Sequence, residues 1–105
     1  METNNKIVDI IKITVHNFLP DAEILLFGSR ARNEASSESD YDILLITSLE
    51  LSPKEKLPIR THIRKALLKL GIRSDILIQS QLEVARKKNL PGHIVRKILR
   101  ESIML

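Results

Sequence analysis

The sequence predicts an α/β domain: a small sheet of three to four strands packed by helices. Three observations carry that expectation. Apolar runs of strand length recur at Glu23 to Phe27, Tyr41 to Thr47 and Ile72 to Ile78. Before, between and after them, apolar residues return at steps of three and four, the period of a helix with one buried face. Two of those helical stretches open on a Ser followed three residues later by a Glu, a pair that caps a helix reciprocally.

Residues 4 to 19 carry Ile7, Ile11, Val15 and Phe18 at steps of four, four and three, with Val8, Ile10 and Leu19 widening the stripe. They form an amphipathic helix that Asn4 or Asn5 is placed to cap and Pro20-Asp21 ends. Strand one follows, then a tight Gly28-Ser29 turn and a short helix over Arg30 to Asn33. Glu34 to Ser39, rich in Ser and Glu, reads as a mobile loop over a site. Strand two is almost continuously apolar, which suits a strand covered on both faces. Thr47 to Leu51 connects it to Ser52-Pro53-Lys54-Glu55, a capping box with Pro at the first helical position. That helix continues through Ile59, Ile63, Leu67 and Leu70 and stops at Gly71. Pro58 conflicts with it and should kink the helix or restart it near Leu57. A strand, helix, strand unit of this kind normally pairs its strands in parallel with a right-handed crossover. Ser80-Gln81-Leu82-Glu83 is the second capping box, opening a short helix to about Lys88. Leu90-Pro91-Gly92 breaks the chain, His93 to Glu101 is helical, and Ile103-Met104-Leu105 forms a last short strand. There is no internal repeat, linker or low-complexity segment.

The chemistry gathers at the ends of the first two strands. Gly28 allows a sharp turn and a close approach of backbone to ligand. Ser29 adds a hydroxyl where a helix begins, and free N–H groups there favour an anion. Ten residues later, Asp40 and Asp42 open strand two. Strand alternation puts both carboxylates on one face, about 7 Å apart. Carboxylates that close raise each other's cost of ionisation, and a divalent cation removes it. Asp75 is the one acid inside strand three, where a charge is costly unless paired or metal-bound. If strand three lies beside strand two, Asp75 faces Asp40 and Asp42; the alternative is an ion pair with Arg73 or another base. Taken singly, an Asp-x-Asp or a Gly-Ser is commonly turn chemistry. At this spacing, each at a strand end, the two form a phosphate cradle beside a cation site. Arg30 and Arg32 flank the turn; either suits a triphosphate, and either suits a solvated helix face.

Gly28-Ser29, ten residues, then Asp40-x-Asp42 resembles the signature of the DNA polymerase beta superfamily of nucleotidyltransferases. Over most of the chain, from about Ile7 to Ile103, it looks more narrowly like the minimal nucleotidyltransferases that act as antitoxins beside a HEPN-domain toxin. The resemblance implies a mixed sheet of the polymerase beta-like nucleotidyltransferase fold, one domain over residues 1 to 105. It implies AMP transfer from ATP to a hydroxyl, a tyrosine of the partner toxin. Asp40, Asp42 and Asp75 would hold two Mg²⁺ ions, with Asp75 also the general base. Gly28, Ser29 and Arg30 would bind the nucleotide. The family often has Gly where this chain has Asn33, and Asn tolerates the left-handed backbone. Two alternatives stay open: an antitoxin that neutralises by binding alone, and a small-molecule nucleotidyltransferase, although those carry an added domain.

Composition sets the remaining bounds. The chain has 105 residues, enough for one small domain, with 43% hydrophobic and 29% charged residues. Aromatics are 3%, so 15 Ile and 16 Leu must supply the core. A core this modest accords with a partner subunit. There is no Cys, hence no thiol chemistry. No apolar run approaches a membrane span, and Met1 to Asn5 lacks the layout of a signal peptide, so the cytoplasm is expected. The net charge of +4 suits phosphate-bearing ligands or an acidic partner. His16, His62 and His93 share no metal-like spacing and are expected at the surface. Glu34 and Glu38 read as solvated charges. Arg86-Lys87-Lys88, Arg96-Lys97 and Arg100 make a basic C-terminal third, either a binding surface or a wet helix face. Direct nucleic-acid binding is not expected.

Overall fold

The computed structural model describes residues 5–32 and 39–105. The expected caps at Asn4 and at the side chain of Asn5, and the expectations for Asn33 and for 34–38, including Glu34 and Glu38, lie outside the described residues. The elements run α1 (Asn5–Phe18), β1 (Glu23–Phe27), α2 (Gly28–Ala31), β2 (Tyr41–Thr47), α3 (Pro53–Lys69), β3 (Ser74–Ser80), α4 (Gln81–Lys87), α5 (Ile94–Glu101) and β4 (Ile103–Met104).

The strands form one four-stranded sheet in the order β3-β2-β1-β4. β1 pairs antiparallel with β2 and with β4, whereas β2 and β3 are parallel. The sheet is therefore mixed, and its one parallel pair is the strand, helix, strand unit that the sequence predicts.

Strand alternation sorts the apolar residues into two layers. Ile24, Leu26, Ile43, Leu45, Ile76 and Ile78 pack against Ile11 and Val15 of α1 and Ile63 and Leu67 of α3. On the other face, Leu25, Leu44 and Ile46 meet Ile98 of α5, with Leu77, Val84 and Leu99 beside them. Consecutive residues Leu44 and Leu45 are both fully buried, one in each layer. A strand covered on both faces has no polar position to spare, hence the near-continuous apolar run. No helix among the described residues is long and apolar enough to cross a membrane.

Both capping boxes form. Ser52 Oγ accepts from the Glu55 N–H at 3.2 Å, and Glu55 Oε1 accepts from the Ser52 N–H at 2.9 Å. Ser80 and Glu83 repeat the arrangement at 3.0 and 2.9 Å. Three expectations need correction. α3 is one helix through Pro58, so the chain does not restart near Leu57. Pro58 lies in the second turn, and the carbonyl it leaves without a donor, that of Lys54, is on an exposed residue. β3 begins at Ser74, not at Ile72, because Ile72 is committed to ending α3. Its N–H donates to the Leu67 carbonyl at 3.0 Å while Gly71, at φ +80°, donates to Leu68 at 2.9 Å, which is a Schellman cap. Finally, His16 and His62 are exposed as expected, but His93 is half-buried and caps α5, its Nδ1 accepting from the Val95 N–H at 3.1 Å.

Candidate active site

The end of β1 and the starts of β2 and β3 meet in one row. Phe27 stands opposite Asp42, and Asp42 stands opposite Asp75 on the parallel neighbour. Strands so paired lie about 4.8 Å apart, so the two carboxylates are immediate neighbours on one sheet face. Asp40 lies just before β2, outside the strand, near enough for its charge to be felt by Asp42. Two residues further along each strand the same face becomes apolar, at Leu44 and Leu77, where the α4 and α5 layer covers it. The acids thus sit just beyond the edge of the helical cover.

Gly28 follows Phe27 and turns the chain beside this row at φ +73°. Sequence reasoning found the turn but missed a second requirement. A Cβ at Gly28 would collide with the Asp42 carboxylate. Glycine is needed for the sign of φ and for the room that the acid occupies. The short helix after it starts two residues earlier than expected, with Arg32 N–H donating to the Gly28 carbonyl at 3.1 Å. Ser29, half-buried, lies in that single turn.

The acids are coupled through mutual repulsion. Burial first, then the charges of Asp75 and Asp40, push the Asp42 carboxyl above its ordinary value, while Arg32 draws it back. Asp40 is about half exposed and meets Arg73 Nε at 3.5 Å. The base that sequence reasoning offered to Asp75 therefore goes to Asp40, and no described base pairs with Asp75. Among the described residues, no three His, Cys, Asp or Glu side chains converge as a formed metal site would. The donor chemistry nevertheless suits a hard cation: Asp42 and Asp75 are neighbours, Asp40 is close by, and Asp42 is held at a cost by burial and by the other two charges. The exposed Asp40–Arg73 pair is worth at most about 1 kcal/mol, a small obstacle to drawing Asp40 inward.

The two arginines of the turn part company. The Arg30 guanidinium carbon lies 4.2 Å from the centroid of the Tyr41 ring. Its Nη2 donates to the Ser39 carbonyl at 2.8 Å. Tyr41 belongs to the layer packed by α1 and α3, across the sheet from Asp42. Arg32 is on the acid side, where its charge is felt by Asp42, and it pairs with Glu101 at 3.2 Å. Nothing local in the sequence separates these roles, since Arg32 and Glu101 are 69 positions apart.

A family model for nucleotidyltransferase domains matches residues 7–104. The chain belongs to that family. No curated protein matches the sequence. Among solved structures, this nucleotidyltransferase is similar to a minimal nucleotidyltransferase at 22% identity and TM-score 0.60, covering 99% of this chain and 98% of that one. It is similar to a chain in the structure of a tri-AMPylated Shewanella oneidensis HEPN toxin with its MNT antitoxin, at 16% identity and TM-score 0.55, covering 95% and 69%. A toxin–antitoxin structure with AMP-PNP matches at 15% identity and TM-score 0.57, covering 97% and 72%. At these identities the likeness is one of fold.

The basic third of this nucleotidyltransferase is partly spent within the chain. Arg86 pairs with Glu50 at 2.9 Å, and Lys87 Nζ donates to Gln79 at 2.7 Å. Arg96, Lys97 and Arg100 line a shallow, open hollow with Gly92, His93 and Ile94.

Proposed function

We propose that this nucleotidyltransferase transfers AMP from ATP to a tyrosine hydroxyl of a HEPN-type partner and so acts as the antitoxin of a pair. One observation carries the reading: Asp42 and Asp75 stand side by side at the strand ends where Gly28 turns the chain against Asp42. Gly28 and Ser29 receive the phosphate chain. Asp40 and Asp42 would hold Mg²⁺, which would supply charge neutralisation at the phosphates and stabilise the attacking and leaving oxygens. Asp75, reached from a different strand, takes the acceptor's proton as the hydroxyl oxygen bonds to the α-phosphorus and pyrophosphate departs. Tyrosine titrates near pH 10, so a base is needed at neutral pH. Arg32, on the acid side, is the better placed of the two arginines to meet the triphosphate. The fold's recurrence in toxin–antitoxin structures, one with an AMPylated HEPN toxin, supports the choice of partner. The cytoplasm is the matching compartment.

Mass spectrometry of the partner after incubation with ATP and Mg²⁺ tests this. A gain matching one or more AMP groups is expected. Tight binding without a gain in mass would replace the proposal with a binding-only antitoxin. That second reading is favoured by the pairing of Asp40 with Arg73.

A further inference from the structure

Asp40 has two chain neighbours, Ser39 and Tyr41, and one side chain holds both. Arg30 Nη2 donates to the Ser39 carbonyl at 2.8 Å, and the same guanidinium lies on the Tyr41 ring at 4.2 Å. The ring is a firm floor, since Tyr41 is 8% exposed and its N–H donates to the Arg73 carbonyl at 2.9 Å. Arg30 Nε is buried with no hydrogen-bond partner among the described residues. A guanidinium so placed is across the sheet from the Asp42 carboxylate and is not directed at the acid face.

We infer that Arg30 is a positioning residue: a clamp that fixes the backbone on either side of Asp40 and thereby sets where that carboxylate stands relative to Gly28 and Ser29. The inference rests on the reading of Asp40 and Asp42 as the cation-holding acids. It departs from a phosphate contact for Arg30, the role its place beside the turn suggests. Arginine is required because one planar group stacks on a ring and donates in its own plane at the same time; an ammonium is a point charge without a face. Catalysis depends on placement at the scale of an ångström, so loosening the backbone at Asp40 costs cation binding although no ligand contact is lost.

The experiment measures Mn²⁺ binding by electron paramagnetic resonance with a saturating non-hydrolysable ATP analogue, and analogue binding without metal by calorimetry. Folding of every variant is checked by thermal melting. Arg30→Gln should weaken Mn²⁺ binding tenfold or more while metal-free nucleotide binding stays within twofold. Arg30→Lys should not restore it. Tyr41→Leu should reproduce the loss, Tyr41→Phe should match wild type, and Arg30→Gln with Tyr41→Leu should be no worse than either alone, as for two halves of one device. Should Tyr41→Leu not fold, the Gln and Lys variants at Arg30 decide by themselves. Loss of metal-free nucleotide binding in Arg30→Gln, restored by Lys, would overturn the clamp in favour of a phosphate contact. Wild-type Mn²⁺ binding in Arg30→Gln would overturn it outright. Wild-type Mn²⁺ binding in Asp40→Asn would instead sink the reading of the site itself, and the clamp with it.

Discussion

The carboxyl of Asp42 is half-buried beside two other acids, and its charge is held at a cost. A carboxylate raised above its ordinary value near 3.8 penalises the folded state fully at pH above the raised value. The penalty fades as pH falls through it and is gone below the ordinary value. Without metal, Asp42→Asn should therefore melt a few degrees above wild type at neutral pH, and the two melting curves should merge on acidification. If Asp42 holds the cation as proposed, Mg²⁺ with ATP should reverse the order, because only wild type would keep that ligand. A gap that widens in acid would contradict this account of Asp42. Asp75 makes a different prediction. No described base pairs with it and its charge opposes that of Asp42, so Asp75→Asn should leave stability unchanged or slightly raised. Binding of Mg²⁺–ATP should survive within a few-fold while single-turnover transfer falls about a hundred- to ten-thousand-fold. Normal turnover per folded molecule would leave a site of two acids.

At the scale of elements, Glu83 links α3 to α4. It completes the cap of α4 and receives Lys56 of α3 on both oxygens at 2.9 Å. Burial alone would raise its carboxyl; the Lys56 hydrogen bond, the Ser80 N–H and the charges of Lys56 and Lys87 outweigh burial and hold it below its ordinary value. Its stabilisation is thus present above that ordinary value, 4.5, and is lost as pH falls through the depressed one. Glu83→Gln should cost about 1–3 kcal/mol in urea unfolding at neutral pH, with the difference shrinking in acid. The caps were legible in the sequence because their chemistry is local: Ser and Glu three apart need no distant partner. The Ile72 boundary was less so, since a Schellman cap takes a residue that strand propensity claims equally well. Alternation was expected to put Asp40 and Asp42 on one face, but β2 begins at Tyr41 and leaves Asp40 outside the strand. That Asp42 faces Asp75, and that Arg30 and Arg32 lie on opposite sides of the sheet, depends on which strands are neighbours, which no local pattern encodes.

At the scale of the whole molecule, two helical layers of unequal substance enclose one sheet. α1 and α3, of 14 and 17 residues, cover one face; α4 and α5, of 7 and 8, cover the other. The thinner layer is also the one that stops short of the acids. Leu44, at 0% exposure, should be as sensitive as any position in the thicker layer, because the sheet closes over it from both sides. Leu44→Ala should cost about 2–5 kcal/mol in urea unfolding. Leu49, 74% exposed in the connection after β2, should change stability by less than about 0.5 kcal/mol when replaced by Ala. Similar losses at both would contradict the layering.

Gly28 and Asp42 compete for one volume, since the carboxylate fills the space that a methyl at Gly28 would take. In genetic terms the two positions are locked together. Gly28→Ala should displace the acid and also meet the left-handed backbone, which alone costs about 1–2 kcal/mol. Asp42→Ala frees the contested space, so it should act as a second-site suppressor of Gly28→Ala for folding, recovering the steric part and leaving the backbone part. It should not suppress it for any activity that needs the acid. A selection for solubility and a selection for nucleotidyl transfer would then draw opposite solutions from the same library: the first tolerates paired changes at Gly28 and Asp42, and the second, on the proposed reading of the site, keeps both residues.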